Sequence, residues 1–252
     1  MANTILDRYG IKEVADVTFY EIDDTNPGTP GKPVLYLDTL KVSTIEQTAE
    51  NAEARGGKGN AALISWDYGK EITVTLEDAL YSAKSLALMF GDDSAAKEET
   101  GTIIKTLWKD NLPADTAASE DANVSVTING TSVKLTKCTF YDDKGAKVTS
   151  GTEYAYVTGT IATTGAITID VSANGFPGTY YVTGDTYARS EATGKDEFFQ
   201  FIIPKAKVLS ESNTITLEAE GDPTVFAMSL KVLRPKDGVM MKLVQYNVAA
   251  AE

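Results

Sequence analysis

The strictest constraint in this chain is a run whose character changes at every residue. Ile72, Val74 and Leu76 alternate with Glu71, Thr73, Thr75 and Glu77. A period of two does not fit a helix; it describes a strand with one buried and one wet face. The texture recurs throughout, with Thr, Val, Tyr and Ile in short runs broken by Gly, Asn and Asp, and it predicts a mainly β fold. Strands are expected over Val14–Ile22, Val34–Ile45, Leu63–Leu76, Tyr154–Ile161, Ala166–Val171, Thr179–Arg189, Glu197–Val208, Thr214–Glu220, Val225–Leu233 and Met240–Val248, and Thr139–Val148 is expected to contain a turn at Asp142-Asp143-Lys144-Gly145. Asn123–Leu135 reads as a hairpin around Asn129-Gly130. In Val34–Ile45 the apolar parity changes at Asp38-Thr39, which predicts a bulge or bend. Pro204 restricts its strand to an edge or a bulged position.

One helix stands out. Ser82 can cap it, Ala83–Phe90 are mostly helix formers, and Gly91 supplies a left-handed stop. Leu86, Met89 and Phe90 share a face that should dock on a sheet. A weaker helix or turn is expected over Thr102–Lys109. Between Ile45 and Leu63 lies Gln47–Ala62, with no apolar period and three nearby glycines. It reads as a long, mobile hairpin tip, and loops beyond about 12–15 residues are uncommon unless functional or disordered.

Composition removes much chemistry. The 252 residues contain no histidine and a single cysteine, Cys138, with 23 basic against 36 acidic side chains, a net charge of −13. Without histidine there is no Ser-His-Asp or Cys-His machinery and no His metal ligand. One cysteine forms no intrachain disulfide and no CxxC pair. The acidic excess argues against a grip on nucleic acid, whose affinity comes from Lys and Arg. Met1–Arg8 has neither a basic start nor an apolar run, so no signal peptide is expected, and no stretch approaches the roughly 20 apolar residues of a membrane helix.

Local motifs yield mostly plain readings. Gly56-Gly57-Lys58-Gly59-Asn60 lacks the spacing of a phosphate loop. Ser94-Ala95-Ala96-Lys97 has the SxxK spacing without its companion motifs. Asp142-Asp143 and Asp92-Asp93 lack the regular acidic spacing of a calcium loop. Cys138, in an apolar and Thr-rich run, fits a small buried hydrophobe. Trp66 and Tyr68 fit either interface anchors or core aromatics.

Two separated regions resemble the major tail tube proteins of tailed bacteriophages. The first is Ser65–Leu80 with Ser82, Leu86 and Gly91; the second is Phe199–Lys207 with Leu217–Pro223 and Phe226-Ala227-Met228, joined by Gly178–Gly184. The resemblance implies two packed antiparallel sheets, a β-sandwich or partial barrel, with one flanking α-helix and a long extended hairpin loop. It implies a structural virion protein made in the host cytoplasm, with no enzyme activity, cofactor, metal or membrane. Subunits would form hexameric rings stacked into a tube, with tape-measure protein, tail initiator or baseplate and tail terminator as further partners, and DNA passing through the lumen during ejection without specific binding. Residues 1–252 would form one tail-tube-like domain, with residues 92–151 a candidate peripheral insertion or a β module of their own.

Placed on that scheme, Glu71, Thr73, Thr75 and Glu77, with Lys41 and Ser43 opposite, are expected to face the lumen, where excess carboxylate repels phosphate. Glu50, Asn51, Glu53, Arg55, Gly56, Gly57, Lys58, Gly59 and Asn60 are expected to form an inter-ring loop, loose in the free subunit and ordered by a neighbouring ring. Ser82, Leu86, Met89 and Phe90 mark the flanking helix. The alternative from another class is a β-sandwich binding module, an adhesin or carbohydrate-binding domain, which should expose several aromatics on one flat face.

Overall fold

A computed structural model describes residues 8–23, 25, 28–91, 97–211, 213–215 and 224–247. Two compact units are present, residues 96–168 and the chain on either side of them. The first unit opens with β1 (Tyr9–Ile11), β2 (Asp16–Ile22), β3 (Pro30–Leu37), β4 (Leu40–Gly56), β5 (Ala61–Asp78) and α1 (Ala83–Phe90). The second unit contains β6 (Lys97–Glu99), β7 (Thr102–Trp108), β8 (Ala122–Ile128), β9 (Thr131–Tyr141), β10 (Lys147–Val148), β11 (Tyr156–Ala162) and β12 (Ala166–Thr168). The first resumes with β13 (Thr179–Ser190), β14 (Asp196–Val208), β15 (Thr214–Ile215), β16 (Phe226–Val232) and β17 (Lys242–Tyr246). The fold is mainly β, with two principal antiparallel sheets, neither closed into a barrel.

The large sheet runs β3-β2-β13-β14-β16-β5-β4. Its end strands are consecutive in sequence, with only Asp38 and Thr39 between them. The expected bend is therefore a corner, and Val34–Ile45 is two strands at opposite ends of one sheet. The sheet curls so that Leu35 and Leu37 of β3, Leu40 of β4 and Ile72, Val74 and Leu76 of β5 enter one core with Phe19, Ile203 and Leu230. At the corner the buried Asp78 carboxylate accepts from the Thr39 hydroxyl at 2.5 Å and from Leu80 N–H at 3.2 Å. Ala15 N–H donates to Ser43 Oγ at 3.3 Å, tying the approach of β2 to β4.

Helix α1 follows its caps closely. Ser82 and Ser85 form a reciprocal capping box, and Gly91 takes φ 78° at the C-terminus. Met89 and Leu88 are buried in the sheet core, with Leu86 and Phe90 packed at its margin. Pro204 lies inside the sheet, not at an edge. Strand β14 pairs with β17 through Phe198–Ile202 and with β16 through Ala206–Val208. Pro204 falls between the two ladders and within the bulge against β13, where a missing N–H removes no rung.

The second unit has its own core of Val124, Val126, Leu135, Cys138, Phe140, Tyr154, Val157 and Ile161. Asn129 and Gly130 take φ 48° and 79°, the two left-handed conformations of a type I′ hairpin. Asp142 Oδ1 accepts from Lys144 and Ala146 N–H at 2.9 and 2.7 Å, so this acidic residue shapes a turn. The unit continues to Thr168, past the expected 92–151 span, because β11 carries Val157 and Ile161 into the core. Thr102–Lys109, expected as a helix or turn, is mostly strand β7. It is an edge with six of its seven residues exposed, and Ile103, Ile104, Leu107 and Trp108 imitate a helical spacing without a buried stripe. Asp92-Asp93, the serine and intervening residues of the SxxK match and Leu217–Pro223 lie outside the described residues.

Two measurements probe these cores. A Cβ on Gly184 would sit 2.1 Å from two ring carbons of Phe201, its ladder partner, whereas one on Gly10 meets nothing within 4 Å. Gly184→Ala should destabilise the protein by about 1–3 kcal/mol, read as a lowered Tm, with Gly10→Ala unchanged. Burial pushes the Cys138 thiol up. Iodoacetamide at pH 8 should leave it unlabelled in native protein and label it once denaturant unfolds the chain.

Candidate functional site

The segment expected to be a mobile loop is a ladder. Cα pairing of β4 with β5 continues from Leu40↔Asp78 to Gly56↔Ala61, leaving a four-residue turn, Gly57-Lys58-Gly59-Asn60. Gly57, Gly59 and Asn60 take φ 80°, 91° and 51°, a turn chemistry that needs Gly and Asn. The candidate phosphate loop is this hairpin tip. The outer part, Thr48–Gly56 with Ala61–Glu71, lies almost wholly exposed. At about 3.4 Å per residue it is an arm roughly 30 Å long. Its β4 strand lacks apolar periodicity because neither face of that strand is buried in the subunit.

The arm is nevertheless two-sided. Glu50, Ala52 and Ala54 pair with Tyr68, Trp66 and Ile64, so the small alanines flank a row of three large side chains. Ile64, Trp66 and Tyr68 are 54%, 54% and 53% exposed. On the opposite face Asn51 Nδ2 donates to Ser65 Oγ and to Asp67 Oδ1, the latter at 3.0 Å, and Arg55 grips Glu53 at 2.5–2.8 Å. The polar face satisfies itself, while the apolar face is left to solvent.

A bulge sets this sidedness. Between Thr48↔Glu71 and Glu50↔Tyr68, β4 advances two residues and β5 three, and Gly69 takes φ 63°. One extra residue moves every later side chain to the other face. Ile72, Val74 and Leu76 therefore point into the core, whereas the equally even-numbered Ile64, Trp66 and Tyr68 continue the outward face. The open choice for Trp66 and Tyr68 resolves here: they are surface residues of the arm.

On the body of the sheet the predicted row is contiguous. Glu71, Thr73, Thr75 and Glu77 face outward beside Thr48, Glu46, Thr44 and Val42 of β4 and Lys231, Ser229 and Ala227 of β16. Lys231 Nζ bonds Glu71 Oε1 at 2.8 Å. Ser43 is not brought to this row; it pairs with Leu76 and turns toward the core side, where it holds Ala15. Lys41 is the exposed extra residue of a second irregularity, between Leu40 and Val42. Thr44, Glu46 and Lys231 belong to the face but were missed, since strand pairing across β16 leaves no local signal. Ser82, Leu86, Met89 and Phe90 are brought together at α1, where they serve packing and capping.

Among the described residues no group of acidic or cysteine side chains could hold a metal ion, and no helix is long and apolar enough to cross a membrane. A sequence profile of the YomU/Tube protein family matches residues 9–245. The chain belongs to this family of phage tail tube proteins, structural components of the virion tail. Among curated proteins none matches it.

The arm has pairing but little packing, and an isolated two-stranded ribbon is marginal in water. In free subunits its amides, such as those of Ala52 and Trp66, should exchange much faster than those of Val74 and Ile203. Trp66→Ala should change folding stability by no more than about 0.5 kcal/mol. Hydrogen exchange with mass spectrometry and denaturant titration check these outcomes.

Proposed function

We propose that the chain polymerises as stacked hexameric rings into the phage tail tube, and that the arm is the element joining one subunit to its neighbours. The carrying observation is the row Ile64-Trp66-Tyr68, held on a backbone that is already paired and left without apolar cover. Aromatic side chains of this kind dominate interface energetics once desolvated. The free edges of β3 and β4 offer further unpaired backbone, which a ring of copies would complete.

In this reading the outward face of β4, β5 and β16, with Glu46, Glu71, Thr73, Thr75 and Glu77, lines the conduit. Its hydroxyls and carboxylates offer DNA few cationic holds during ejection, Lys231 being engaged by Glu71. The arm's apolar row continues that face at its root, and the twist usual in a two-stranded ribbon would rotate it toward an adjacent subunit. Lys41 and Ser43 stand apart from the wall. Tape-measure protein, the initiator or baseplate and the terminator complete the partner set by analogy with the family's role.

Negative-stain microscopy of concentrated protein should show rings or tubes. Trp66→Ala combined with Tyr68→Ala should raise the concentration needed for tubes by about tenfold or more, with the monomer's Tm unchanged. Deleting Glu53–Asn60 should block tubes while leaving the subunit folded. Tubes formed normally by both variants would remove the arm's role, and a tube map with Glu71 and Glu77 on the outer wall would overturn the assignment of the conduit face.

A further inference from the structure

The second unit carries a surface of different chemistry. Across β7, β11 and β9 the outward side chains align in three rungs: Trp108–Tyr156–Tyr141, Thr106–Thr158–Thr139 and Ile104–Thr160–Thr136. Behind them Val157, Ile161, Leu135, Cys138 and Phe140 are buried, so the rungs form the solvent side of the sheet. None of the nine side chains is charged, on a chain of net charge −13. Lys137 and Lys147 stand at the border, the latter 3.4 Å from Glu120.

The first rung is braced. Tyr141 stacks on Tyr156 with ring centroids 5.2 Å apart, and Trp108 meets Tyr156 edge-on at 5.5 Å and 71°. Trp108 remains 64% exposed. In the other rungs the hydroxyls fix one another: Thr106 and Thr158 lie 3.0 Å apart, Thr136 and Thr160 3.1 Å apart. From Trp108 to Ile104 the face extends about 14 Å along the strand.

We propose that this face binds a neutral saccharide, with the Trp108 indole stacked on the C–H face of a sugar ring and the threonine rungs bonding its hydroxyls. The chemistry discriminates between occupants. A nucleic acid or acidic glycan needs cations, which the rungs lack. An apolar protein surface would cover the remaining acceptor sites of these paired hydroxyls and the free Thr139 hydroxyl without offering them partners, at a cost of roughly 1–3 kcal/mol for a buried polar group left unsatisfied. A neutral sugar offers donors and acceptors at matching density together with an apolar ring face. Two apolar contacts, Trp108 and Ile104, bracket the hydroxyl field, which suits a short chain of sugar units more than a single one. The proposal is independent of the arm and of tube assembly.

Affinity electrophoresis of the full chain tests it, through gels containing dextran, mannan, galactan, xylan or hydroxyethylcellulose, with alginate as the acidic control. Retardation is expected in at least one neutral gel and not in alginate. Trp108→Ala should weaken it about tenfold or more and Thr158→Val measurably, with both melting curves unchanged, whereas Trp66→Ala should leave it intact. Migration unaffected by every neutral polysaccharide, or retardation equal in Trp108→Ala, overturns the proposal. So does a Trp108→Ala variant that keeps full retention but loses self-association, which would make the face a contact between copies.

Discussion

The first unit depends on one antiparallel ladder that begins in the core and ends in solvent. At its root, Ile72, Val74 and Leu76 of β5 are buried against Leu230, Met228 and α1, and each such side chain contributes about 1.5–3 kcal/mol by leaving water. Beyond Glu71 that source ends while the backbone pairing does not. The root holds the arm's two strands at ladder spacing, which removes most of the loop-closure entropy an isolated hairpin would face. The arm is thus positioned and closed by the core without gaining from side-chain burial of its own.

The distinction governs what was legible in the sequence. Alternation marks a half-buried strand, so Ile72–Leu76 and Met228–Val232 could be read directly. The Asn129-Gly130 turn and the Ser82 and Gly91 caps were equally legible, because their signals are local backbone chemistry. Thr48–Gly56 was not, for a strand exposed on both faces has no reason to alternate. Residues 102–108 failed likewise: an edge strand with scattered apolar residues carries a weak and misleading period. Sidedness was the subtlest loss. Even-numbered apolar residues run from Ile64 to Leu76 with only Lys70 breaking the parity, and the Gly69 bulge that splits them into outward and inward sets shows in sequence only as a single glycine. The second unit's outward rungs depend on register between distant strands, which no local pattern encodes.

Irregularities in the large sheet fall where a regular ladder would fail. Pro204 occupies the junction between two pairing partners of β14, and the Asp38-Thr39 corner lets a two-residue link separate the sheet's two ends. Gly184 leaves room for the Phe201 ring across the ladder. These positions let one sheet curl around a single core while its end strands β3 and β4 stay unpaired on their outer sides among the described residues. Closure within one subunit would have removed the edges that the proposed association between copies would use.

A preformed arm also changes the energetics expected of assembly. A loose loop would lose about 1–2 kcal/mol of backbone entropy for each residue ordered, and that cost alone could hold subunits apart until an initiator appears. With the ladder already in place most of it has been met within the subunit, so the proposed docking would retain more of the gain from burying Trp66 and Tyr68. Restraint against premature pairing must then come from elsewhere. The exposed β4 edge carries Glu46 and Glu50, with Glu53 held by Arg55, and like charges along an unpaired strand are a recognised defence against indiscriminate addition. The same carboxylates make association sensitive to ionic strength, since exposed charges are screened over about 10 Å at 0.1 M salt. In the proposed assembly, electrostatic repulsion at the strand edge would then restrain association more than the folding of the arm does.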